Sequence, residues 1–177
     1  MPTEQEKVIK ALQYAIQMEE DGKAFYQQSC GEASNELGRK LMESLAKQED
    51  YHRAKFQNIY ESLRKEHAWP KVDFKVDGGR TLRTVFAKQT EEGPVCAPGN
   101  DTELAVIQRA MKMEGDSYDF YHGRSEQADS SAEREFYETV AAEEWEHKLI
   151  LTDYYEYLKE PAAWFVKTEK PSIDGGV

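Results

Sequence analysis

Cysteine is scarce in this chain of 177 residues: only Cys30 and Cys96 occur, and no CxxC pair. That excludes a disulfide framework and a cysteine zinc site, and it fits a reducing cytoplasm as the expected location. Long apolar runs are missing too. Nowhere do about 18 apolar residues follow one another, and the opening MPTEQEKVIK is polar, so neither a membrane span nor a signal-peptide core is expected. Positive charge is in short supply: 23 Lys and Arg stand against 34 Asp and Glu, a net charge of −11. A nucleic-acid partner needs a basic patch, and this balance argues against one. The acidity itself reads first as a solvated surface.

Helical patterning fills the space those absences leave. Hydrophobic residues make up 39% and charged residues 32%, a mix common among soluble helical proteins, and the length suits one domain. Four long helices are expected, in two pairs. The first runs from about Glu4 to Cys30, with Thr3 and Glu6 as a capping box. The second runs from Ser34 or Asn35 to His67, before Trp69-Pro70. The third starts near Asn100, with Glu103 three residues on, and reaches Ser125; the fourth starts at Ser130, capped with Glu133, and ends before Pro161. Short turns within each pair make the partners antiparallel. Between the pairs, at about 68–99, lies a crossover containing VDGGR, a short helix over TLRTVFAKQ, and EEGPVCAPGN. The expected fold is therefore all-α: a ferritin-like four-helix bundle over 1–160 made of two helical hairpins, with a tail at 161–177 that holds Trp164 and Phe165.

An internal repeat organises the chain. A shift of 95 residues lays AIQMEEDGKAFY, from Ala15, on AMKMEGDSYDFY, from Ala110. The same shift lays AKQEDYH, from Ala46, on AAEEWEH, from Ala141, so Glu19, Glu49 and His52 match Glu114, Glu144 and His147. Two units of like design facing each other bring matched positions together near a pseudo-twofold axis.

The core stripe of each helix shows what those positions do. At alternating spacings of three and four, the second helix reads Leu45, Glu49, His52, Phe56, Ile59, Leu63 and the fourth reads Val140, Glu144, His147, Leu151, Tyr154, Leu158. The first reads Val8, Leu12, Ala15, Glu19, Gly22, Tyr26, and the third Ile107, Ala110, Glu114, Ser117, Tyr121. Four carboxylates thus point into one core, where unpaired charge is costly. Two divalent ions would neutralise them, with both histidines neutral. One glutamate from each of two helices and Glu-x-x-His from each of the other two is a di-metal ligand set. Oxygen-rich donors with one imidazole per ion suit iron or manganese better than structural zinc.

The phrases MEEDGKAFY with KQEDYH, and MEGDSYDFY with EEWEH, resemble rubrerythrin-like proteins of the ferritin superfamily, over about Val8 to Glu160. The resemblance implies Glu19, Glu49, His52, Glu114, Glu144 and His147 as ligands of two iron ions, through which they would serve catalysis, with Glu49 and Glu144 bridging. It implies reduction of hydrogen peroxide or oxygen. Full-length rubrerythrins add a rubredoxin-like domain with four cysteine ligands, which this chain lacks, so an external electron donor such as a rubredoxin is expected. Ser117 stands where the family tends to carry a further glutamate, which weighs against iron movement between ligands. A homodimer is expected.

Other residues carry lesser expectations. Tyr26 and Tyr121 lie two turns past the ligand glutamates of their own helices, placed to cap the core or to hydrogen-bond the site. Glu20 and His122 read as surface, His67 as a helix C-cap, and neither cysteine sits in an electropositive setting. Peroxide reduction is the preferred function. A ferroxidase feeding an iron store is the alternative, and a metal-free interaction bundle comes last.

Overall fold

The computed structural model describes residues 3–66, 68–90 and 99–164. Five helices stand among them: α1 (Glu4–Glu32), α2 (Glu36–Glu66), α3 (Arg80–Thr90), α4 (Asp101–Glu126) and α5 (Ser131–Lys159). A helical turn at 161–164 follows. His67, Cys96 and Phe165 lie outside the described residues.

Each helix begins where side chains take up orphan N–H groups. At α1 the capping box is complete: Thr3 Oγ1 accepts from the Glu6 N–H at 3.2 Å, and the Glu6 carboxylate accepts from the Thr3 N–H at 2.8 Å. Asn100 and Ser130 accept the N–H of Glu103 and Glu133, at 2.9 and 3.1 Å. Their glutamates do not close a box. The Glu103 carboxylate reaches across to the other hairpin, accepting from Ser34 Oγ at 2.6 Å and Ser34 N–H at 3.1 Å. Glu133 pairs with Arg124 at 3.6 Å, closing the α4–α5 turn. Helix α5 stops at Lys159, since a proline at 161 disfavours helical geometry in the residue before it.

The hairpins are α1 with α2 and α4 with α5, and α3 lies across α2 and α5. Their apolar stripes form two separate clusters. One gathers Leu41, Leu45, Leu82, Phe86, Ile107 and Leu151; the other gathers Leu12, Phe56, Ile59, Tyr121, Phe136 and Val140. On each of the four long helices the expected glutamate or Glu-x-x-His pair falls between residues of the two clusters. Burying a large apolar side chain contributes roughly 1.5–3 kcal/mol, so this polar layer is held in place from both ends. The repeat extends to Trp69 and Trp164, also 95 residues apart. Trp69 packs on Phe136 and Tyr137 of α5, and Trp164 on Phe86 of α3 and Tyr157 of α5, so the start of the tail docks on the bundle.

No helix among the described residues is long and apolar enough to cross a membrane.

Candidate metal centre

Glu19 of α1, Glu49 and His52 of α2, Glu114 of α4, and Glu144 and His147 of α5 converge in the polar layer, none more than 5% exposed. They form two overlapping groups in which the ligand atoms lie within 4.8 Å of one another: Glu19, Glu49, His52 and Glu144, and Glu49, Glu114, Glu144 and His147. Glu49 and Glu144 belong to both. The Nδ1 atoms point inward, His52 to Glu144 Oε1 at 3.0 Å and Glu19 Oε2 at 3.6 Å, His147 to Glu114 Oε2 at 3.5 Å and Glu49 Oε1 at 3.6 Å.

Whether these residues fit a metal is decided by their unsatisfied atoms. Glu19 Oε2, Glu49 Oε1, both oxygens of Glu144 and both Nδ1 atoms are buried without a hydrogen-bond partner. Buried polar atoms are nearly always paired, and leaving one bare costs about 1–3 kcal/mol. Here the orphans share one small volume and are all metal-binding donor types. The site fits a metal.

The outward atoms are held. Tyr26 Oη of α1 donates to Glu114 Oε1 of α4, and Tyr121 Oη of α4 donates to Glu19 Oε1 of α1. Each tyrosine therefore serves the glutamate of the other hairpin, not that of its own helix. Gly22 lets Glu49 lie against α1, since a Cβ there would stand 2.7 Å from Glu49 Oε2.

Burial, then the charges of Glu19, Glu144 and Glu114, push the Glu49 carboxyl well above the usual carboxylate range. Glu144 is pushed up by burial, then by Glu114 and Glu19. Glu114 goes the other way: burial raises it, but the adjoining His147 imidazole and the hydrogen bond from Tyr26 hold it low. Burial and the adjoining carboxylates raise both tyrosines, so they stay protonated donors.

Sequence reasoning missed Gln48, whose Oε1 lies 2.7 Å from His147 Nε2. Its repeat counterpart, Glu143, is 2% exposed and accepts from the N–H groups of Gly78 and Asp77, at 2.7 and 3.3 Å. The only available signal was adjacency to a ligand glutamate, which does not say where a side chain goes. Gln48, Glu143 and His52 line a recess of about 350 Å³ with Lys47, Tyr51 and Lys75. A cavity of about 520 Å³ beside Glu103 and Tyr154 touches none of the six.

The lesser expectations sort clearly. Glu20 and His122 are exposed. Cys30 is half-buried against the core, and burial with the nearby Glu43 raises its thiol, as in an unreactive cysteine.

An all-α bundle with a buried carboxylate–histidine cluster between its hairpins defines the ferritin-like metal-binding class. A family model described as Rubrerythrin matches residues 10–155, and the chain belongs to that family, with no rubredoxin domain indicated. No curated protein and no solved structure matches it.

Proposed function

We propose that this protein is a di-iron oxidoreductase that reduces hydrogen peroxide with electrons from an external donor. The observation that carries it is the overlap of the two donor groups at Glu49 and Glu144, each group completed by one terminal glutamate and one histidine. In this reading all six side chains are ligands, and four ionised glutamates balance two ferrous ions. When bound, that pair supplies the two electrons that, with two protons, convert hydrogen peroxide to two waters.

The chain's own residues define the rest. Tyr121 and Tyr26 each occupy one oxygen of Glu19 and Glu114, so the other oxygen, which faces inward, would be the one offered to a metal. Glu144 has no hydrogen bond on either oxygen, so both would be open to the metal it helps to hold. The apolar clusters above and below keep bulk water out. Two cysteines cannot build a four-cysteine iron site, so re-reduction falls to a separate donor such as a rubredoxin, met by the chain as a homodimer.

The experiment is an iron count over many turnovers. Anaerobically reduced, iron-loaded protein is given hydrogen peroxide with reduced rubredoxin or a chemical reductant. The expected result is repeated peroxide consumption, faster than that of oxygen, with iron constant at two per chain. If added Fe²⁺ is consumed well past that ratio and stays with the protein as soluble ferric iron, it is a ferroxidase.

A further inference from the structure

We propose that Gln48 positions His147 and makes the His147 half of the centre the tighter of its two metal positions, whereas Glu143, at the matching place in the repeat, is committed to the crossover. The inference rests on the metal reading above but not on the choice of oxidant.

A metal-bound imidazole presents one nitrogen to the ion and must place its other N–H somewhere. A fixed acceptor there sets the tautomer, locks the ring and strengthens binding. His147 satisfies this. Its Nδ1 faces Glu114 and Glu49, and its Nε2 lies 2.7 Å from Gln48 Oε1. The amide oxygen takes the N–H at a part-buried position, where a carboxylate could serve as acceptor equally.

The repeat supplies an internal comparison. Ninety-five residues after Gln48 stands Glu143, buried and facing the same recess as His52. Its carboxylate is taken by the N–H groups of Asp77 and Gly78, in a turn where Gly78 and Gly79 have φ of 59° and 69°. Those angles suit glycine, so the turn is built to present these N–H groups. His52 instead lies against the ring of Phe74, centroids 5.6 Å apart at 27°. Stacking sets the plane of the imidazole without accepting its proton. The halves share ligands and differ in support, so the two positions fill in sequence, that of His147 first.

Titration of Co²⁺ alone into the metal-free full chain, followed by visible absorption and calorimetry, tests this. Wild type is expected to bind in two resolved steps. His147→Ala should remove the tighter step and His52→Ala the weaker. Gln48→Leu should weaken the tighter step about 10- to 100-fold and leave the weaker in place. Gln48→Glu keeps an acceptor and should restore the tighter step, which a merely structural role of Gln48 would not produce. The proposal is overturned if wild type shows one step, if Gln48→Leu leaves both steps unchanged or weakens them alike, or if His52→Ala removes the tighter one. Absence of Co²⁺ uptake by wild type overturns it together with the metal reading; the iron count over peroxide turnovers leaves it untouched.

Discussion

The hydroxyl of Tyr26 on α1 donates to Oε1 of Glu114 on α4, and the repeat-related Tyr121 on α4 returns the same bond to Glu19 on α1. This reciprocal pair ties the hairpins together at the level of the metal centre, with donor and acceptor fully buried in both. It also fixes which oxygen of each terminal glutamate is free.

Removing either hydroxyl should therefore be felt in stability and in metal binding. A hydrogen bond to a charged group is worth about 1.5–3 kcal/mol, and Tyr26→Phe or Tyr121→Phe should each cost roughly that in the denaturation of the metal-free protein. Metal affinity should fall in both variants. Two variants as stable as wild type would mean the bonds are absent in solution.

Loss of the shared carboxylates should be more severe than loss of either pair partner. The double substitution Glu49→Ala with Glu144→Ala removes the only two residues common to both donor groups. Elemental analysis after reconstitution with Fe²⁺ is expected to find no stoichiometric metal. Iron retained at the wild-type ratio would place the site elsewhere.

A third test exploits a close approach. In Gly22→Ala the new Cβ meets Glu49 Oε2 at 2.7 Å, so the carboxylate must turn away and metal affinity should drop. Gly123→Ala is the control, because a Cβ there meets nothing within 4 Å. An alanine at such a helical position should add about 0.5–1 kcal/mol of stability and leave metal binding alone. Equal metal affinity in the two variants would count against the packing of Glu49 on α1.

The response to pH follows from the raised carboxyls of the metal-free protein. Glu49 and Glu144 are pushed up, so folding favours their protonated forms. Their contribution is complete below the unfolded carboxylate value of about 4.3 and is lost as pH rises through the raised folded values. Glu114, held low, works in the opposite sense, but Glu49 and Glu144 are each pushed well above the usual range while Glu114 is only lowered, so the raised pair sets the sign. Metal binding requires deprotonated ligands and strengthens over the same window. The melting temperature of the metal-free form should fall as pH rises above about 4.3, and its gap to the metal-loaded form should widen. A gap that stays constant across that range would refute the buried cluster.

The turn held by Glu143 gives the last test. Glu143→Ala removes the acceptor for Asp77 and Gly78 N–H, a loss of about 1–3 kcal/mol, and it should loosen the docking of α3. Hydrogen exchange is expected to quicken at the amides of Arg80–Thr90 more than at those of α1. Unchanged exchange in α3 would show that Leu82, Phe86 and the Arg83–Glu146 ion pair hold the crossover without Glu143.

Much of this was written along the chain. Helix bounds came within about two residues, because caps at Thr3, Asn100 and Ser130 and the proline at 161 act on the backbone beside them. The six residues of the centre were legible because a glutamate in an apolar stripe is a one-dimensional anomaly, and the repeat shows it twice. What spacing cannot carry is the identity of a neighbour across the bundle. Periodicity sets the direction in which a side chain leaves its own helix, not which helix it meets. So Tyr26 could be placed on the face of Glu19, yet only the packing of the hairpins gave it Glu114. Glu103, read as half of a cap, is drawn to Ser34 because the α1–α2 turn comes to rest beside it. Gln48 and Glu143 occupy the same position in the repeat and line one recess, yet take different partners: Gln48 meets His147, while the turn at Asp77 and Gly78 meets Glu143. Local sequence determined the six side-chain types and the level at which they meet; the assembled bundle decided which groups hold them there, because those bonds join residues brought together only when the hairpins and the crossover close.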